Sequence, residues 1–259
     1  MKKLSLFIVT FCCAFTFAQK NNPPFKSGEW LKFQVRYGIF NASIATLHLT
    51  NENLNGKSVY KVSGEGKTTG AARIFYKVDD VYESYFDKED GKPYRFVRKI
   101  DEGGYTKDVE INYDYTKKQA VLNDKKNNKI QNFTITNKVQ DLISAFYYIR
   151  KNYDFEDLVQ NEFIKLDMLF DEDGTFQFKL KYLGVDTLKT KYGKIACLKF
   201  RPYVQSGRVF KEEEGLSLWV SHDQNKIPIR IKADLAVGSI KAELDGYNGL
   251  NNQFKIIMD

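Results

Sequence analysis

The chain has 259 residues, a net charge of +7, 15% aromatic residues and only two histidines. Its basic residues are scattered along alternating stretches rather than gathered in a stripe, which argues for solvated faces and against a nucleic-acid partner. Three cysteines and two histidines without any paired spacing leave no transition-metal motif, and no cofactor fingerprint occurs.

The chain begins with Lys2 and Lys3, followed by an apolar run from Leu4 to Phe17 and small residues at Thr16 and Ala18. This is the pattern of a cleavable signal peptide cut after Ala18, too short for a transmembrane helix of about 20 apolar residues. Cys12 and Cys13 offer a lipoprotein signal as the alternative, but small residues do not precede them. The expected location is therefore the periplasm. Removal of residues 1–18 leaves one cysteine, Cys197, in the alternating stretch "KIACLKF", expected as a buried small hydrophobe with no disulfide. Residues 19–27 read as a flexible lead, and 28–259 as a single β-rich domain.

Strand signals then follow one another. Trp30–Tyr37 alternates cleanly, Gly38–Asn41 turns, and "ASIATLHLT" returns with Ala45, Leu47 and Leu49 on one face. After the "NLNG" turn comes "KSVYKVSGEG". Arg73–Asp87 reads as one long strand bent at Asp79-Asp80, with aromatics in both phases. "PYRFVRKI", "YTKDVEINYDY", "QAVLND" and "KIQNFTIT" continue an antiparallel meander.

The segment Lys138–Asn152 breaks the period of two. Val139, Leu142, Ile143 and Phe146 lie at helical spacing, with Asn137 as the expected N-cap, Asp141 in the first turn and Arg150 and Lys151 in the last. It also carries Ser144, Tyr147 and Tyr148, which raises the alternative of a catalytic face. Strands resume with "FIKLDMLFD", "TFQFKLKYLG", "VDTLKTK", "KIACLKFRPY", "LSLWVSHD", "KIPIRIKADLAVG" and "SIKAELDGY", with a charged loop at "FKEEEG". Roughly a dozen short strands and one helix give an all-β class: a strongly curved sheet, half-barrel or β-sandwich, with one inserted amphipathic helix.

No GxSxG elbow, P-loop or HExxH is present. Ser221, His222 and Asp223 are consecutive, and successive extended residues point to opposite faces, so they read as a turn. Carboxylates at Asp79, Asp80, Glu83 and Asp87 have no distinctive spacing. What remains is a binding argument. Strands apolar in both phases need cover on both faces, from a second sheet, the helix or a ligand. The candidate lining of a concave, helix-covered pocket is Tyr76, Tyr82, Phe86, Tyr113, Phe146, Tyr147 and Trp219. A filled core is the competing expectation. An envelope hydrolase using Asp141, Ser144 and Tyr148 with His48 or His222, and a structural subunit of an outer-membrane protein complex, are the other readings.

The segments "GEWLKFQVRYGIFNASIATLHL", "FYKVDDVYESYFD", "PYRFVRKIDEGGY", "VQDLISAFYYIR", "LWVSHDQNKIPIRI" and "VGSIKAEL" resemble the domain of unknown function 3108 family of exported Gram-negative envelope proteins. The resemblance runs from about Gly28 to Leu244. It implies a periplasmic β-rich protein without an established reaction or cofactor. Trp219 to Ile231 is also loosely similar to a hairpin of lipoprotein-carrier β-half-barrels, a likeness at the level of fold. The signal peptide, the two-faced aromatic strands and the net positive charge make a lipid or lipoprotein, an outer-membrane complex and a peripheral membrane surface the expected partners.

Overall fold

The structure is a computed structural model that describes residues 22–203, 215–235 and 237–257. The expected signal peptide with Cys12 and Cys13, and nearly all of the "FKEEEG" loop, lie outside the described residues.

Within them, fourteen strands form one antiparallel sheet. The first eight are β1 (Trp30–Tyr37), β2 (Phe40–Leu54), β3 (Lys57–Thr68), β4 (Asp79–Asp87), β5 (Pro93–Glu102), β6 (Tyr105–Asp114), β7 (Gln119–Asp124) and β8 (Lys129–Thr134). The rest are β9 (Phe163–Met168), β10 (Phe176–Thr190), β11 (Gly193–Tyr203), β12 (Leu216–Ser221), β13 (Pro228–Asp234) and β14 (Ser239–Asn248). Their spatial order is β8 through β1, then β14 down to β9. Every chain-adjacent pair is hydrogen-bonded except β8 and β9, while the first and last strands pair along their lengths, Trp30 opposite Asn248 and Tyr37 opposite Ile240. The meander would close as an up-and-down barrel if β8 met β9. A helix is inserted between them instead, so the sheet stays open.

The alternation read from sequence sets the register. Ala45, Leu47 and Leu49 share a face of β2, and Lys107, Val109, Ile111 and Tyr113 share the inner face of β6. Three differences are informative. The expected long strand from Arg73 is split: α1 (Ala72–Phe75) makes one helical turn and β4 starts at Asp79. The two strands expected on either side of Gly184 are one strand, β10, whose pairing with β11 slips between Tyr182 and Gly184. Gly184 sits there at φ +113°, so the chain passes a bulge rather than a turn.

The third concerns the central helix. It was expected over about 138–152, but α2 spans Ser144–Asn152. Before it, Gln140 runs beside β9 in a parallel bridge, donating its backbone N–H to Asp167 and accepting from Leu169. The cap is Asp141, not Asn137. Its Oδ1 accepts from the amides of Ile143 (2.8 Å) and Ser144 (2.7 Å), and the Ser144 hydroxyl accepts from the Asp141 amide (2.9 Å). This reciprocal pair satisfies the orphan donors of the first turn as a capping box does.

Three apolar clusters result. One gathers the inner faces of β3–β7 with Phe25, Val139, Ile143 and Tyr147. A second packs Ala145 and Ile149 of α2 against β9–β12. The third joins Leu31 and Phe33 of β1 to residues of β10–β14, among them Cys197 and Trp219. Cys197 is fully buried, and burial pushes its thiol up to about 12, so it is an inert core residue. Where a flexible lead was expected, residues 22–27 are docked. Phe25 is buried against Tyr147, and the Pro23 carbonyl accepts from the side chains of Asn251 and Asn252.

Candidate functional site: an apolar cavity over the helix

α2 lies inside the curve of the sheet, and its ends are fixed by different chemistry. At the C-terminal end, Arg150 and Glu29 form a fully buried bidentate pair with two 2.7 Å contacts. Arg150 also donates to the carbonyls of Asn225 and Pro24 and is surrounded by the rings of Phe25, Phe146 and Tyr147. This end is a solid plug. At the N-terminal end, Asp141 is buried with the Ser84 hydroxyl donating at 2.6 Å. Burial raises its carboxyl to about 6, against the opposing effect of the Ser84, Ser144 and Ile143 donors.

Beyond the N-terminal half of α2 lies a cavity of about 650 Å³. Its walls include Phe33, Leu47, Phe146, Met168, Phe178 and Leu218, and they are overwhelmingly apolar. Leu142 and Ile231 both line it and are more than a third exposed, so the cavity is open there. Gly64 and Gly66 supply part of the wall as bare backbone. A Cβ on Gly64 would meet Leu47 at 3.2 Å, a packing constraint. A Cβ on Gly66 would have only Asp80 Cβ, at 4.0 Å, within reach, and its φ is not left-handed. Gly66 thus marks open space, as strand glycines do where another molecule approaches.

The polar part of the lining is confined to one end. Asp80 is buried there and accepts from the Asp101 amide, and Tyr82 lies one inward position further along β4. Burial and the neighbouring Asp80 carboxyl raise Glu102 above the usual carboxylate range. Asp171, in the turn after β9, pairs with Arg98 and Lys107 of β5 and β6. Burial acts to raise Asp171, yet the Lys107 and Arg98 charges and the Glu172 amide together hold it below its ordinary value. This bridge, with the Tyr113 hydroxyl donating to the Leu169 carbonyl at 2.6 Å, straps the β9–β10 turn across the unpaired gap.

The seven aromatic candidates separate. Tyr82 and Phe146 line the cavity. Phe86, Tyr113 and Tyr147 are buried in the first cluster below it. Tyr76 is exposed beside α1, and Trp219 lies on the far face of β12, its indole donating to Asp186 at 2.8 Å. The apolar stripe of the helix is shifted as well: Leu142 is exposed at the opening, whereas Ala145, Tyr147 and Ile149 are buried. The groups of the hydrolase reading do not gather. Asp141 and Ser144 bond each other as a cap, His222 contacts Glu156 in the loop after β12, away from the cavity, and His48 is exposed on β2. Among the described residues no cluster of three metal-ligating side chains occurs. Sequence reasoning missed Gly66, Met168 and Phe178; the paired glycines of "GEG" in an otherwise regular strand were the available signal.

The family model for DUF3108, a protein of unknown function, matches residues 32–245, and the chain belongs to that family. No curated protein matches it. Among solved structures, it is similar to a β-barrel-like protein with the domain of unknown function DUF1849 from Brucella abortus. The two are 10% identical with a TM-score of 0.55, over 86% of this chain and 98% of that one. A putative lipoprotein from Parabacteroides distasonis aligns at 11% identity over 87% of this chain and 97% of that one, with a TM-score of 0.33. The first likeness is one of fold alone, a β-barrel-like sheet.

Proposed function

We propose that this member of the DUF3108 family is a non-catalytic envelope protein that binds an apolar, acyl-chain-like ligand in the cavity above α2. The observation that carries the reading is the cavity itself. Its volume of about 650 Å³ is within the range of small-molecule sites, about 300–1,000 Å³, and its lining is apolar with polar groups at one end only. Such a division suits an amphiphile with its chain among Phe33, Phe146 and Phe178 and its polar end near Asp80 and Tyr82. The signal-like N-terminus supports export to the periplasm, where such ligands are handled. The mutual capping of Asp141 and Ser144 leaves neither poised as a nucleophile or base, which supports binding rather than hydrolysis.

Titration with a fluorescent fatty acid tests this. Saturable binding near one site per chain, displaced by unlabelled long-chain fatty acid and lost in Gly66→Phe, is the expected result. Non-saturable partitioning, or equal binding by the variant with an intact fold, would remove the reading.

A further inference from the structure

At one end of the sheet the connections are polar turns, Asn53–Lys57, Asp87–Lys92, Asp114–Lys118 and the Ser221–Ile227 loop, and at the other end the β7–β8 and β9–β10 turns are polar as well. Three connections at that second end, neighbours around the sheet, instead carry large apolar side chains pointing into solvent. Ile39 and Phe40 on the β1–β2 turn are 88% and 70% exposed, Ile74 and Phe75 on α1 are 83% and 87%, and Val237 on the β13–β14 turn is 75%. They form one rim. Gly38 donates its amide to the Ser239 carbonyl, the Tyr37 hydroxyl donates to the Val237 carbonyl at 3.0 Å, and the Thr69 amide donates to Ala42. Contiguous exposure of this kind marks a docking surface rather than scattered surface hydrophobes.

Charge and shape select the occupant. The spans 36–43, 66–78 and 235–242 carry Arg36, Lys67, Arg73, Lys77 and Lys241 and no acidic residue. Arg73 and Lys77 pair with Asp79 and Asp101, and Arg36 and Lys241 with Glu243, but these are surface contacts for which a sheet of negative charge competes. The apolar groups sit on protruding turn tips, not in a groove, with Tyr37 and Tyr76 beside them as interfacial aromatics. Protruding aliphatic and aromatic tips beside cations suit insertion into a headgroup layer. We propose that this rim docks on an anionic phospholipid bilayer. Gly66, Asp80, Ile231 and Ala242 lie on the strands that carry the three connections and also line the cavity, so a docked molecule presents that end of the cavity to the membrane. Docking does not require that the cavity hold a ligand.

Co-sedimentation with vesicles of the protein as purified from the envelope tests the proposal. Binding to phosphatidylcholine vesicles containing phosphatidylglycerol is expected, with weaker binding to phosphatidylcholine alone and at high salt. Ile74→Ser/Phe75→Ser should lower the partition coefficient at least about tenfold, since two inserted side chains are removed. Its thermal transition should be unchanged, because both groups are exposed in the fold. Lys67→Glu/Lys241→Glu should abolish the preference for the anionic lipid. Gly66→Phe should sediment as the wild type does, so failure of the cavity reading and failure of this one are told apart. Absence of sedimentation with either vesicle, equal binding by the Ile74/Phe75 variant, or a rim-dependent self-association without vesicle binding would overturn it.

Discussion

Glu29→Gln should destabilise the protein severely, although Glu29 does not line the cavity. In the native chain its carboxylate and the Arg150 guanidinium are 0% and 1% exposed and share two 2.7 Å contacts. In Glu29→Gln the guanidinium charge stays buried among neutral acceptors, the amide oxygen and the Asn225 and Pro24 carbonyls at 2.9 and 3.2 Å, and the amide NH2 replaces one carboxylate oxygen. Breaking a buried pair from one side costs about 3–5 kcal/mol, whereas replacing both members with apolar groups of similar volume is often close to neutral. Glu29→Gln and Arg150→Met should therefore each lose about 3–5 kcal/mol in urea unfolding followed by intrinsic fluorescence, most of which is recovered in Glu29→Met/Arg150→Met. The surrounding rings of Phe25, Phe146 and Tyr147 supply the apolar packing for the double variant. Single variants that each lose under about 1 kcal/mol, or a double variant that loses their sum, would refute the view that this pair is an isolated, mutually compensated charge beneath the cavity.

Asp141 has the opposite pH signature to an ordinary surface carboxylate. Burial raises it from 3.8 to about 6, so the folded state binds its proton more tightly and stability falls as pH rises between those values, by about 3 kcal/mol for this group alone. Asn keeps an oxygen for the Ile143 and Ser144 amides, so Asp141→Asn should flatten the difference in stability between pH 4 and 7; an unaltered profile from equilibrium unfolding would contradict the assignment. Tyr113→Phe removes the donor to the Leu169 carbonyl and should cost about 1–3 kcal/mol, with faster hydrogen exchange in the β9–β10 turn. Phe146→Ala should cost less than the about 3–5 kcal/mol of a full core truncation, because one side of the ring already faces the cavity, and thermal unfolding measures it.

The sheet was legible because burial on one face imposes a period of two that no other structure satisfies, as in Trp30–Tyr37 and Tyr105–Asp114. Where local signals compete, tertiary contacts decide. Asn137 and Asp141 are both good caps, and the pairing of Gln140 with β9 makes Asp141 the start of the helix. Gly184 reads equally as a turn or a bulge, and only the register with β11 distinguishes them. Arg150 looked like a favourable charge at a helix end; its partner lies 121 residues away, beyond any local pattern. For the site, aromatic residues mark strands, cores and cavities alike. Tyr82 and Phe146 reached the cavity, whereas Trp219, in the opposite phase of a two-faced strand, did not.

The proposed function requires that the space above α2 be filled. Mass spectrometry of organic extracts, made from wild type and Gly66→Phe purified gently from the envelope, measures this directly. An acyl-chain lipid near one per chain on the wild type and its loss from the variant are expected, with the two unfolding at similar temperature. Lipid no more abundant on the wild type than on the variant would contradict it.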